Sequence, residues 1–354
     1  MKRAAIASVV LWAAVDAFAA SGALAQNPSA TQAAAAQPAA ASSPAAAPHA
    51  PIVFTPRYTP GETMRYQVSF RSQTSNLVGG AVENPQGAGE LGIAVGLTLR
   101  LEVLAPIPVA GGAESGQGSA TRGNERPPLR LRATYERVSA ALSGDSYDPA
   151  ATKLLAQYQN LEGRIIEFQI GSHGELQYLK GLDEVVQDPR ALEAARAWLE
   201  QLSAGIGAPP TGAIPGQTWE RSQPVPDAWL AGTSLQTSST YLRDEACDLE
   251  NPGGEECAVV LMRFTLGQKP GEKNTTPEAF RRYGLRTSGE WTRHGESLVY
   301  VSLSTGRNVS ISQSSEEQMD LRIRHEDGGA LFHYAGRSKT ETHLLLVNEP
   351  PAKP

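Results

Sequence analysis

Only two cysteines occur in the 354 residues, Cys247 and Cys257. A pair of thiols can hold a metal, exchange redox equivalents or staple two segments together. Their spacing is not the short C-x-x-C of a zinc knuckle or a thioredoxin-like site, and no histidine is close by in the chain. The flanks TSSTYLRDEA and AVVLMRFTL read as strands, with the turn NPGG at 251–254 between them, so the two residues face each other across a hairpin. In an oxidising compartment that arrangement predicts a disulfide. Closing a loop of about 11 residues contributes on the order of 2–3 kcal/mol, mainly by restricting the unfolded chain.

A second group of chemistry-bearing residues is RHEDGGALFHYAGR, which gathers His325, Glu326, Asp327 and His333 within nine residues. A hairpin about Gly328 and Gly329 would bring His325 and His333 close enough for a metal or acid–base role. The plainer reading is a polar turn with solvated charges. His294 in WTRHGES and His173 in GSHGEL stand beside glycines and read as turn residues, and His343 opens an apolar strand and reads as structural. The Asn-x-Ser/Thr sequons at Asn274 and Asn308 matter only in a host that glycosylates them. There is no G-x-S-x-G, H-E-x-x-H, S-x-x-K, Walker loop or G-x-G-x-x-G, so the common hydrolase, metalloprotease and nucleotide-binding signatures are missing and no cofactor is implied.

The compartment follows from the first residues. MKRAAIASVVLWAAVDAFAASGALAQ opens with Lys2 and Arg3, runs apolar from Ala4 to Val15, and ends where Ala23 and Ala25 frame an A-x-A cleavage site. This predicts a secretory signal peptide over 1–25, because the apolar run is 12 residues long and a membrane span needs about 20. Losing it moves the formal charge from −6 to −7, and an acidic surface argues against nucleic acid or anionic lipid headgroups as main partners. Residues 26–50 are almost all Ala, Pro, Ser and Gln and read as a disordered tether. The stretch 111–128 reads as a mobile loop, and 349–354 as a tail.

Across 51–348 the recurring period is two. GLTLRLEVL alternates Leu97, Leu99, Leu101 and Val103 with Thr98, Arg100 and Glu102, and MDLRIRH repeats the pattern around Leu321. RYQVSF, LRLRATYERV, RIIEFQI, ELQYL, SLQTSSTYL, CAVVLMRFTL, SLVYVSL, NVSISQ and THLLLV are further strands. One long helix is predicted over 188–207, with Asp188 as N-cap, Pro189 at its first position, and Leu192, Ala195, Leu199, Leu202 and Ile206 on one apolar face. Shorter helices start at Asp148 and Thr276. Two echoes, YTPGETMRY with AIPGQTWER and RIIEFQIGSHGELQYL with SLVYVSLSTGRNVSIS, occur in the same order in each half. They are read as a degenerate duplication of 51–187 in 208–348.

The expected fold is therefore mainly β, a β-rich α+β arrangement of long antiparallel strands in two duplicated halves with one amphipathic helix at the junction. By architecture alone this resembles envelope proteins that wrap a half-barrel around a helix and carry lipids, an analogy that concerns fold and not function. The expected role is a non-enzymatic exported binding or scaffold protein, periplasmic or extracellular, whose partner is an apolar small molecule or an envelope component. Its helix face, Leu192 to Ile206, either fills the concavity of the sheet or borders a guest. The alternative is a secreted hydrolase with an unrecognised active site.

Overall fold

The structure, a computed structural model, describes residues 50–347 apart from 81–88, 106–127, 145–148, 172–175, 185–191, 210, 226–227, 249–253, 269–275 and 329–331. Also excepted are 193–194, 197–198, 200–201 and 204–205 within the junction helix. The signal peptide, nearly all of the tether and of the loop at 111–128, His173, Asn274 and the tail at 349–354 lie outside the described residues.

The period-two segments become eleven strands: β1 (Thr63–Gly80), β2 (Gly89–Leu104), β3 (Leu129–Ser143), β4 (Ile165–Ile170), β5 (Leu176–Lys180), β6 (Thr218–Pro224), β7 (Thr233–Ala246), β8 (Glu256–Gln268), β9 (Leu285–Ser302), β10 (Asn308–His325) and β11 (Phe332–Val347). They form one antiparallel sheet in the order β5-β4-β3-β2-β1-β11-β10-β9-β8-β7-β6. The chain starts at the centre of the sheet, meanders out to β5, crosses to the opposite edge at β6, and meanders back until β11 pairs with β1. Short helices at Pro149–Gln159 and Glu278–Arg281 match the expected starts, the second followed by Gly284 at φ 65°. Among the described residues no helix is long and apolar enough to cross a membrane.

Several strands run beyond their apolar segments. RYQVSF is only one end of β1, and NVSISQ and MDLRIRH are the two ends of β10. Backbone pairing to both neighbours carries the polar middles, where hydropathy alternation gives no sign of a strand. His294 is accordingly mid-strand in β9 and not in a turn. Its neighbour Gly295 is a matter of packing, since a Cβ there would come within 2.5 Å of the Phe264 ring and 2.7 Å of Ser315.

One face of the sheet holds the main core. Tyr66, Leu99, Leu131, Phe168, Val260, Val299, Ile311 and Leu344, from eight strands, form a single cluster with Leu199, Leu202 and Ile206. In a flat sheet β4 and β8 would lie roughly 34 Å apart at ~4.8 Å per strand. A helix is only about 10 Å across, so a shared core around it requires the sheet to curl. An N-terminal strap ties the helix and sheet together. Ile52 bridges Ala213, Phe54 meets the Tyr241 ring edge-on at 5.4 Å, and the Tyr58 hydroxyl donates to the Ser203 carbonyl at 3.0 Å.

The two Pro-Gly turns are built alike. Gly61 and Gly216 take φ of 86° and 85°, a region that favours glycine. Glu62 N donates to Thr59 O at 3.0 Å and Gln217 N to Ile214 O at 3.0 Å. Each of those side chains in turn accepts from the first backbone N–H of its turn, Thr59 or Ile214, at 3.1 Å. The next strand is gripped the same way, through Val103 in one half and Tyr241 in the other.

Candidate functional site

Cys247 and Cys257 are disulfide-bonded, with Cα atoms 4.9 Å apart, and close the β7–β8 hairpin. Beside them the carboxylate of Glu255 accepts hydrogen bonds from Ser302 and Ser304, and Thr305 donates to Ser302 at 2.7 Å. These bonds hold the β9–β10 turn against the stapled hairpin. The disulfide is compatible with an exported protein.

The helix residues singled out from sequence sit on the inner face of the sheet. Leu199, Leu202 and Ile206 are 1%, 4% and 5% exposed within the main core, and Leu192 and Ala195 pack against it. His333 and His325 are both near the β10–β11 hairpin, but His333 Nε2 lies 2.9 Å from Asp320 Oδ1, while His325 is exposed at the end of β10. Among the described residues no group of three His, Cys, Asp or Glu side chains could hold a metal. His343 is an exposed residue of β11 whose Nδ1 lies 3.2 Å from Ser312 Oγ. Asn308 is only 2% exposed, so its sequon is not accessible to modification in the folded protein.

The feature that sequence reasoning missed lies further along the same inner face. Strand register arranges the inward side chains in rows. The first row beyond the helix is apolar, Leu97, Val68, Leu344, Ile311, Val299, Val260 and Tyr241 from β2 to β7. In the next row Thr342, Gln313 and Ser297 stand on β11, β10 and β9, and in the one after that Ser72, Thr340 and Ser315 on β1, β11 and β10. A third row places Thr74, Ser338, Glu317 and Arg293 side by side.

Apolar side chains flank this island on three sides. Val95, Ile93 and Leu91 flank it on β2, Met262, Phe264 and Leu266 on β8, and Met319, Trp291, Leu321 and Tyr334 beyond it.

The island is buried and incompletely paired. Ser72, Gln313 and Thr342 are 3%, 6% and 1% exposed, and Ser72 Oγ, Gln313 Nε2 and Thr342 Oγ1 have no hydrogen-bond partner. Each such group costs about 1–3 kcal/mol. Elsewhere in the island Arg293 Nη2 donates to Ser315 Oγ at 3.3 Å, with its guanidinium 5.6 Å from the Phe264 ring centre. Trp291 Nε1 donates to Glu317 at 3.0 Å. Burial raises the Glu317 carboxyl above its ordinary value, against the lowering effect of Arg293 and of the Trp291 bond. Leucine or valine would fill all these positions without orphaned groups, so the fold alone does not demand them.

A groove of about 740 Å³ runs across β3 to β9, lined by outward residues that include Glu90, Gln73, Lys339, Arg337, Glu316 and His294 and also by Thr74, Ser338, Glu317 and Leu91 of the inner-face rows. His294 Nε2 stands 3.7 Å from Glu316.

No family model and no curated protein matches the sequence. Among solved structures, one named for lipid–protein interactions in lipovitellin is similar over 84% of this chain at 12% identity and a TM-score of 0.37. The matched part is 26% of that chain. A likeness this slight bears on neither fold nor function.

Proposed function

We propose that this chain is an exported, non-enzymatic binding protein of the cell envelope that holds an apolar or amphipathic small molecule against the inner face of its curled sheet. The observation that carries the reading is the buried polar island with its three unpaired donors, Ser72, Thr342 and Gln313, flanked by apolar side chains on β2 and β8, so that hydrogen bonds and hydrocarbon lie side by side. The signal-peptide pattern at 1–25 and the Cys247–Cys257 bond support export. Close packing of Leu199, Leu202 and Ile206 favours a second reading, in which the helix only completes the core and the protein is a scaffold.

Titration of the purified mature protein with N-phenyl-1-naphthylamine separates the two. Carriage predicts saturable fluorescence enhancement near one site per chain, reversed by palmitate, and a lipid-like adduct in native mass spectra of protein taken from its own envelope. Unsaturable enhancement together with adduct-free spectra would leave the scaffold reading in its place.

A further inference from the structure

The three orphaned atoms share one property. Ser72 Oγ, Thr342 Oγ1 and Gln313 Nε2 all carry a hydrogen to donate. They stand on three consecutive strands, β1, β11 and β10, with Thr342 directly opposite Gln313 and one row from Ser72. Thr340 and Ser315 link Ser72 across the next row toward Arg293, a buried cation whose Nη2 already donates to Ser315. The local chemistry is thus rich in donors and calls for an oxygen acceptor.

What lies beside the donors is apolar. Phe70 pairs with Thr342 on one side and Val95 on the other, and Ile93 pairs with Ser72. These three make their own cluster, separate from the main core, with Leu142 and Tyr158 packed against it. On this side the inner face passes from donors to hydrocarbon within one strand spacing, about 4.8 Å. A carbonyl and the first methylenes of an acyl chain have that same division of polarity.

We propose that Ser72, Thr342 and Gln313 are the seat for the carbonyl end of a fatty-acyl ligand, whose chain lies over Phe70, Val95 and Ile93. The hydroxyls and the carboxamide donate to the acyl oxygens, and the Phe70 cluster replaces water along the chain. This rests on the binding reading above and names its ligand class. A free fatty acid and an acyl ester share the chemistry, with the Arg293 side of the island favouring the acid.

The test uses the delipidated mature chain, wild type and the near-isosteric variants Thr342→Val and Gln313→Leu. Displacement of N-phenyl-1-naphthylamine is measured with palmitate, methyl palmitate and hexadecane. Each variant is expected to weaken both carbonyl-bearing ligands about five- to tenfold, to leave hexadecane unchanged, and to keep or raise Tm, because an orphaned donor has been removed. A larger loss for palmitate than for its ester identifies the acid as the preferred guest; equal losses identify the ester carbonyl.

Variants that shift all three ligands together, or none of them, overturn the seat, as does a lowered Tm with unchanged affinities, the behaviour of donors satisfied by internal water. Failure of the wild type to bind any of the three overturns the carrier reading itself.

Discussion

The turns at 59–62 and 214–217 have the same backbone path and the same side-chain-to-backbone bond, yet one carries glutamate and the other glutamine. The neutral amide of Gln217 suffices to cap the turn that starts β6 at the edge of the sheet. At the centre, Glu62 caps its turn and also receives the Arg307 guanidinium in a two-pronged pair, with N–O distances of 2.5 and 2.7 Å. Arg307 reaches further, donating from Nε to the Arg57 carbonyl at 2.6 Å and lying 5.0 Å from the Tyr58 ring centre. Through Tyr58 the strap is joined to the junction helix. The local geometry is thus common to both halves, whereas the charge belongs only to the half that must hold strap, helix and the β9–β10 turn together.

The largest test of that contrast is Arg307→Ala. The Arg307 side chain is 8% exposed against 30% for Glu62, and breaking a largely buried pair costs about 3–5 kcal/mol, here toward the lower figure because Glu62 keeps some water. Urea unfolding should show that loss, beside only about 1 kcal/mol for Gln217→Ala at the matching position. Equal losses would mean that the charge adds nothing to the turn.

Next in size is reduction of Cys247–Cys257, the covalent tie of the second half. It should lower stability by about 2–3 kcal/mol and quicken amide exchange in β7 and β8 while leaving β1 and β2 as they were. Uniform quickening would show that the two halves do not open separately.

The finest test is Glu62→Gln, which gives the first turn the chemistry of the second. Burial pushes the Glu62 carboxyl up, but the Arg307 and Thr59 hydrogen bonds and the Arg307 charge more than offset it, so its pKa lies below the ordinary value of 4.5. Its contribution is therefore present above that value and is lost as pH falls through the depressed pKa. The variant should lose about 1–2 kcal/mol at neutral pH and show a flatter acid limb in Tm against pH. Gln217→Glu, the converse change, should stay within about 0.5 kcal/mol. An unchanged acid limb in Glu62→Gln would assign the acid sensitivity to other carboxylates.

Sequence reading found what rests on local contrast. The alternation in GLTLRLEVL, the hairpin around NPGG and the helical spacing of Leu199, Leu202 and Ile206 are each visible within about 20 residues. The polar island is not. In SISQSSEEQMD the inward Gln313, Ser315 and Glu317 alternate with the outward Ser312, Ser314 and Glu316, and nothing in residue type separates the two faces. Only the apolar ends of the same strand tell which parity is inside. The Glu62–Arg307 pair joins residues 245 positions apart, beyond any local pattern, and the unpaired state of Thr342 is a property of its neighbours on β1 and β10.

The pairing of β1 with β11 sets an order of events. Every other strand pair joins consecutive strands, but this seam joins β1 to β11 and places Arg65 against Val347. Until the last strand has been made, β1 has a partner on one side only, and its Tyr66, Val68 and Phe70 line an open edge. Contacts between such distant residues form late and slowly, and an unpaired, apolar-bearing edge invites other chains to add to it. The newly made protein therefore passes through a stage in which the centre of its future sheet is its most adhesive part, and closing the seam is what ends that stage.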